Sequence, residues 1–217
     1  LGLDHFRQLL AGAYAMDEHF KNRDFNKNVP VLMALIGIWN RNFLNLPAYA
    51  VLPYDNRLRS LPRYLQQLDM ESNGKGIDRQ GQACTHQTAP ILFGEAGTNG
   101  QHAFHQLLHQ GTTTVPCDFI GFRQTTYSQE HHHILLSNML AQSQAMMTGR
   151  TLEESTAMLR AQNAERIDML APAMSFSGNR PSNTLLFDRL TPFSLGSLLA
   201  LYEHKVFVQG VIWNIFS

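Results

Sequence analysis

The sequence predicts an α/β fold in which helices cover both faces of a doubly wound, mainly parallel sheet. Short apolar runs of strand character alternate along the chain with windows of helical periodicity, which is the order expected for strands joined by helical crossovers. Turn-forming residues end each of these runs. The 217 residues, 44% of them hydrophobic, are enough to bury one sizeable core or two small ones.

Amphipathic helices account for most of the first third of the chain. Apolar residues recur at helical spacing within 6–20 and again within 32–43. A third window, 57–70, contains Pro62, which predicts either a kink or the first turn of the helix. Glu71 then falls at the carboxyl end of this third helix.

Three runs have strand character, at 48–52, 91–93 and 115–122. In a parallel α/β sheet, ligands collect at the carboxyl ends of the strands. Between the first two runs, residues 72–90 form a polar loop rich in Gly, Asn, Gln and Asp. The length of this loop indicates a functional role.

In the second half of the chain, caps and prolines set the predicted helix boundaries. Thr151 and Glu154 form a capping-box pattern, which opens a helix that we expect to end before Ala171 and Pro172. A polar turn follows at 175–182, and a last helix with an apolar face begins at the next Thr-Pro pair, 191–192.

Composition excludes several classes of partner. Lys and Arg together number 17, as do Asp and Glu, so the net charge predicts neither nucleic acid nor an anionic membrane surface. The two cysteines, Cys84 and Cys117, are too few for a disulfide scaffold and favour a reducing, cytoplasmic location. Charged residues interrupt the longest apolar stretch, 195–213, and the amino terminus lacks a signal-peptide pattern, so no membrane association is predicted.

A glycine-rich loop, Gly94 to Gly100, follows the second predicted strand and leads into a helix. Such a loop can bind an anion, because free backbone N–H groups and the helix dipole favour negative charge there. The glycine spacing matches neither a dinucleotide fingerprint nor a nucleoside-triphosphate loop. A tight turn without a ligand is the alternative, and the spacing alone favours it.

Two groups of histidines raise the question of a metal site. His102, His105 and His109 share one face of the predicted helix, and a run of three histidines occupies 131–133. No acidic residue takes the position that it has in a zinc-protease motif, and local hydrogen bonding accounts for both groups. The sequence therefore predicts no metal ligands.

Glu71 is a candidate general base, because it ends a helix and meets Gly74 and Lys75. Its charge would face the negative pole of the helix, and partial burial would also disfavour the ionised form. Both effects make a carboxylate a better base near neutral pH. An exposed helix-end residue without a chemical role is the alternative, and the local pattern alone favours it.

Taken in order, these segments resemble the glucose-6-phosphate isomerase family, also called the phosphoglucose isomerase family. Two of them are Met-Glu-Ser-Asn-Gly-Lys at 70–75 and Gly-Gln-His-Ala-Phe at 100–104. The matching segments run through most of the chain and lie at 6–13, 16–20, 52–55, 66–75, 94–104, 109–112, 116–119, 178–183 and 201–210.

The resemblance implies an aldose-ketose isomerase, an intramolecular oxidoreductase that interconverts glucose 6-phosphate and fructose 6-phosphate without a metal or an organic cofactor. It assigns Glu71 as the catalytic base that moves a proton between C2 and C1 through a cis-enediol. It assigns His102 as the catalytic histidine that opens the sugar ring, and Gln67 as a substrate-binding residue. It also implies a homodimer in which His102 acts in the site of the neighbouring subunit.

The same resemblance sets expectations for the domains. Residues 1–190 match the second sugar-isomerase domain, truncated at its amino terminus, and 191–217 match the truncated start of the carboxyl-terminal closing segment. Because the phosphate-binding loop, an arginine and a lysine of the family lie outside the chain, we expect these residues alone to be weakly active or inactive. A non-catalytic sugar-phosphate-binding domain is the alternative. The presence of both Glu71 and His102 favours the isomerase, because binding alone requires no base.

Overall fold

The computed structural model describes residues 2–216, and four strands within them form one parallel sheet. The strands lie side by side in the order β2-β1-β3-β4, and every neighbouring pair is parallel. Their bounds are β1 (Ala48–Pro53), β2 (Ile91–Gly94), β3 (Cys117–Gln124) and β4 (Ser182–Arg189). The order reverses at β1, as it does in doubly wound sheets. The predicted fold class is confirmed.

Helices join and flank these strands. Within residues 2–216 they are α1 (Gly2–Phe20), α2 (Val29–Ile38), α3 (Leu61–Gln66), α4 (Gly97–Ala103), α5 (His105–Gln110), α6 (Gln129–Thr148), α7 (Leu152–Ala161), α8 (Ile167–Met174) and α9 (Pro192–Ile212). A π turn at Trp39–Phe43 extends α2, and a second one at Gln67–Glu71 extends α3. In this described part of the chain, none of the helices combines the length and the apolar character that a membrane span requires.

The sheet is buried on both faces because side chains alternate along each strand. In β1, Tyr49 and Val51 belong to a core shared with α2, α3 and α9. Ala50 and Leu52 belong to a second core, shared with α5 and α6. Helices on both faces explain why the strands read as nearly continuous apolar runs.

One strand, β4, was not predicted from the sequence. Along Ser182–Arg189 the side chains are half-buried or exposed, whereas six of the eight residues of β3 are buried. β4 lies at the edge of the sheet, next to β3 alone. An edge strand can therefore lack the buried apolar run on which the other strands were predicted.

The single helix predicted to begin at Thr151 is two helices. The capping box is present, because Glu154 N–H donates to Thr151 Oγ1 at 3.1 Å and Thr151 N–H donates to Glu154 Oε2 at 2.8 Å. However, α7 ends at Ala161, and Pro172 lies inside α8. The expectation that one helix ends before the Ala171-Pro172 pair is therefore wrong.

The last helix, α9, packs very closely against α1. A Cβ atom at Gly12 would lie 1.8 Å from Phe193 O, and one at Gly196 would lie 1.9 Å from Leu9 O. The hydroxyl of Ser197 donates to Gly12 O at 2.8 Å. Glycine at both contact positions lets the two backbones approach, which sets the position of α9 over the sheet.

Candidate active site

Gln67 and Glu71 lie at the two ends of the π turn that extends α3. Because α3 follows β1 and the turn precedes β2, the turn lies at the amino-terminal edge of the parallel sheet. On its inner side, Leu92 N–H donates to Met70 Sδ at 3.4 Å, and Gln66 Nε2 donates to Leu92 O at 3.1 Å. These contacts hold the turn against β2, while Gln67 and Glu71 stay exposed.

An open cleft runs along the exposed side of this turn. Residues three or four apart on a helix share a face, which is why Gln67 and Glu71 contribute to the same cleft. The structure thus brings two of the predicted site residues together. The side chains that line the cleft are Tyr64, Gln67, Leu68, Glu71, Ser72 and Lys75.

Lys75 folds back onto the carboxyl end of the turn. Its Nζ donates to Glu71 O at 2.9 Å and to Ser72 O at 2.5 Å. The ammonium group thereby meets carbonyl groups at the helix end and offsets the negative pole of the helix. The side chain of Glu71 is exposed rather than partly buried, as in the alternative that the local pattern favours.

Residues 72–90 form a folded loop that contacts other elements of the chain. Arg79 Nε donates to Ile215 O at 3.1 Å, and Asn42 Nδ2 donates to Gln87 O at 2.6 Å. The loop is thus tied to the residues after α9 and to the π turn after α2. These hydrogen bonds fix the position of the loop that follows Glu71.

His102 lies on α4, which begins shortly after β2 ends. The helix packs tightly on Tyr54, because a Cβ atom at Gly97 would lie 2.6 Å from the Tyr54 ring. Gln101 Nε2 donates to the Tyr54 hydroxyl at 2.9 Å. Burial raises the pKa of Tyr54 to about 12, so this hydroxyl stays protonated. The side chain of His102 itself is exposed.

The chain places His102 and Glu71 at opposite edges of the sheet. Glu71 precedes β2 at the amino-terminal edge, and His102 follows β2 at the carboxyl-terminal edge, where β1 leads into Tyr54. The four residues of β2 alone span roughly 10 Å at the usual strand rise. Gln67 and Glu71 therefore share a cleft to which His102 of the same chain does not contribute.

The predicted shared face of His102, His105 and His109 does not form, because Phe104, at φ −140°, separates α4 from α5. His105 Nδ1 and His109 Nε2 lie 3.2 and 2.7 Å from Gln142 Oε1, which accepts from both rings. Burial lowers the pKa of His105, which favours its neutral form. Within residues 2–216, no group of three or more His, Cys, Asp or Glu side chains could hold a metal ion.

Tyr64, Ser72 and Lys75 also line the cleft but were not predicted from the sequence as site residues. The Tyr64 hydroxyl donates to Glu203 Oε1 at 2.9 Å and links α3 to α9. A signal was present, since Tyr64 and Lys75 continue the helical spacing of Gln67 and Glu71 along one face.

The comparison with solved structures first identifies the class of fold, an α/β fold that this chain shares with an isomerase of known structure. A crystal structure of a glucose-6-phosphate isomerase from Chlamydia trachomatis matches with a TM-score of 0.86 and 41% identity, over 99% of this chain and 40% of that one. A hypothetical protein from Thermus thermophilus, with a TM-score of 0.68 and 21% identity, shares the fold over 96% of this chain and 45% of its own.

The sequence comparison then identifies the family. The family model of phosphoglucose isomerase matches residues 1–217. Glucose-6-phosphate isomerases from Chlorobium phaeobacteroides and Gloeobacter violaceus are 55% and 56% identical to this chain, over 100% of it and 39% of each relative. The chain belongs to the phosphoglucose isomerase family, as its motifs predicted, and spans about 40% of the length of these relatives.

Proposed function

We propose that the chain is part of an enzyme that interconverts glucose 6-phosphate and fructose 6-phosphate. The observation that supports this most directly is the pair Gln67 and Glu71, one turn apart on the exposed side of a helix end whose inner side is packed. A base and a polar group that face the same cleft are the groups that a proton transfer on a sugar phosphate needs. Such a transfer requires neither a metal nor an organic cofactor.

Glu71 is the proposed catalytic base. Its carboxylate takes the proton from C2 of the open-chain aldose, and the electrons of that C–H bond form the C1–C2 double bond. The carbonyl oxygen at C1 takes up a proton from the solvent at the same time, which gives the cis-enediol, and the proton later lost from the C2 hydroxyl returns to the solvent. Delivery of the first proton from Glu71 to C1, with loss of the proton on the C2 hydroxyl, gives the ketose and restores the carboxylate. Gln67 orients the substrate from the same face.

His102 is the proposed catalytic residue for ring opening. An imidazole near neutral pH can accept the proton of the anomeric hydroxyl and supply a proton to the ring oxygen. His102 and Glu71 lie at opposite edges of the sheet in one chain. This separation supports a homodimer in which His102 serves the site of the partner subunit. It also supports the proposal that neither chain has a complete site alone.

The domain assignment follows from the same family resemblance, and the cellular location is proposed with it. We propose that residues 1–190 belong to the second sugar-isomerase domain and that 191–217 begin the closing segment. We further propose a cytoplasmic enzyme without nucleic-acid or membrane partners, in keeping with its balanced charge.

A complementation experiment with the complete polypeptide that contains these residues tests the shared site. The Glu71→Gln and His102→Ala variants should each lose isomerisation of fructose 6-phosphate by about 10²–10⁴-fold. When the two variants are unfolded and refolded together in equal amounts, about a quarter of the wild-type activity should return. Half of the dimers are then mixed, and each mixed dimer has one intact site.

Exposed residues of the same types serve as matched controls. Glu153→Gln and His86→Ala should retain full activity, because both side chains are exposed away from the cleft. Two inactive variants that do not complement each other would contradict the shared site. Full activity in both Glu71→Gln and His102→Ala would contradict the catalytic roles. A wild-type protein that binds the sugar phosphate without isomerising it would instead favour a non-catalytic domain.

A further inference from the structure

α9 contributes a buried lysine to the inner side of the π turn that presents Gln67 and Glu71. Lys205 Nζ lies 3.3 Å from Asp69 Oδ2, and the two side chains are 4% and 2% exposed. The other carboxylate oxygen, Asp69 Oδ1, is buried and has no hydrogen-bond partner among the described residues. Because a lone buried charge is strongly unfavourable, the carboxylate depends on Lys205.

Aromatic residues fix the position of Lys205 independently of the turn. Its Nζ lies 4.4 Å from the centre of the Tyr49 ring and 5.9 Å from that of Tyr202, within the range of cation–π attraction. Both tyrosine hydroxyls donate to Asp118, that of Tyr202 at 2.7 Å. Burial and the charge of Asp118 raise the pKa of both tyrosines, so they remain donors. Residues of β1, β3 and α9 thus determine where the ammonium group lies.

Asp69 is the middle residue of the turn, with Gln67 and Glu71 two positions to either side. In a helical turn, residues two positions apart point to roughly opposite sides of the axis. The structure has this arrangement, with Asp69 buried and Gln67 and Glu71 exposed. A rotation of the turn that moved Asp69 away from Lys205 would therefore also redirect Gln67 and Glu71.

A second bond ties the same segment to α9. Asn73 Nδ2, which is buried, donates to Val206 O at 2.9 Å, one residue after Lys205. The segment is therefore attached to α9 both within the turn and just after it.

We propose that Lys205 is a positioning residue for the isomerisation and acts through Asp69. The pair sets the direction in which Gln67 and Glu71 face the substrate, and Lys205 itself is buried and does not touch the substrate. This inference rests on the proposed function, in which Glu71 is the base.

The test compares Lys205→Met, Asp69→Asn and the double variant in the complete enzyme, by steady-state kinetics and thermal unfolding. Each single variant leaves one buried group without its partner and should lower both kcat and the unfolding temperature. The double variant removes both charges and should recover most of the unfolding temperature. Its kcat should stay about 10- to 100-fold below wild type, with a smaller change in KM, because a displacement of about 1 Å has effects of this size.

Gln209→Met is the matched control. Gln209 lies one turn after Lys205 on the same helix, is buried, and donates to Ala34 O at 3.3 Å. This variant should lower the unfolding temperature and leave kcat within about twofold of wild type. A double variant of Asp69 and Lys205 that regains kcat together with its unfolding temperature would show a structural role only, and would overturn the inference.

Glu71→Gln, measured beside these variants, separates the two proposals. If Glu71→Gln retains turnover, the proposed role of Glu71 as the base fails and this inference fails with it. If Glu71→Gln is inactive while the folded double variant keeps the kcat of the wild type, the proposed function stands and only the positioning role of Lys205 is overturned.

Discussion

The segments before and after β2 each carry a proposed site residue, and different interactions fix their positions. Before β2, Glu71 lies on a turn whose inner side carries the buried pair of Asp69 and Lys205. After β2, His102 lies on the seven-residue helix α4, which contacts Tyr54 through a glycine and one side-chain hydrogen bond. Buried charge holds the first region, and close steric fit holds the second.

This difference determines which substitutions should affect each region. A buried charged network is sensitive to the loss of any one partner, because the remaining groups stay desolvated and unpaired. A close packing contact is sensitive to added volume instead. Substitutions that remove a buried charge should therefore destabilise mainly the turn that carries Glu71. Substitutions that add volume should destabilise mainly the packing of α4, which carries His102.

The largest loss of stability should follow from Asp118→Asn. The carboxylate is fully buried and accepts hydrogen bonds from Tyr49, Tyr202 and Asn183, and an amide cannot accept all three. We expect the free energy of unfolding to fall by about 2–4 kcal/mol, measured by urea denaturation. Asp188→Asn is the matched control, because this exposed residue pairs with Arg123 at the surface and should cost less than about 1 kcal/mol. Equal losses of unfolding free energy in the two variants would show that the buried hydrogen bonds of Asp118 stabilise the fold no more than the surface pair does.

A smaller loss should follow from Gly97→Ala. The new Cβ would meet the Tyr54 ring at 2.6 Å, so we expect α4 to shift and stability to fall by about 1–3 kcal/mol. Because α4 carries His102, the kcat of the complete enzyme should fall as well. Gly76→Ala is the control, since nothing lies within 4 Å of its added Cβ. If Gly97→Ala leaves both unfolding temperature and kcat unchanged, close packing does not position this helix.

Local patterns were sufficient to predict much of the fold. Apolar runs located β1, β2 and β3, and the capping box located the start of α7. β4 was missed because an edge strand need not bury either face completely. The break at Phe104 was missed because no Pro or Gly marks it.

The geometry of the candidate site was less accessible from the sequence. Helical spacing is enough to place Gln67 and Glu71 on one face, but their proposed chemical roles came from the family resemblance. The pairing of Asp69 with Lys205 joins residues 136 positions apart, so no local pattern indicates it. Side chains that a folded interior brings together over such distances are the part that sequence reasoning could not supply.

A still smaller effect is expected on the pH dependence of the unfolding temperature. Burial lowers the pKa of His105, so the folded protein resists a proton that the unfolded chain accepts near pH 6.5. This contribution to stability is present above the unfolded pKa and is lost as the pH falls below it. His105→Gln should therefore reduce the loss of unfolding temperature between about pH 7.5 and 5.5, whereas His133→Gln, at an exposed position, should not. Parallel pH profiles for His105→Gln and the wild type would rule out this contribution.

The smallest effect should come from Tyr64→Phe, which tests whether the wall of the cleft is structural. The Tyr64 hydroxyl already donates to Glu203 at 2.9 Å, and burial raises its pKa to about 12. Loss of this half-exposed bond should cost less than about 1 kcal/mol of stability. It should change kcat and KM by less than about twofold, because the hydroxyl is bonded to α9. A tenfold rise in KM, equivalent to about 1.4 kcal/mol, would instead mean that Tyr64 leaves Glu203 to bind the substrate.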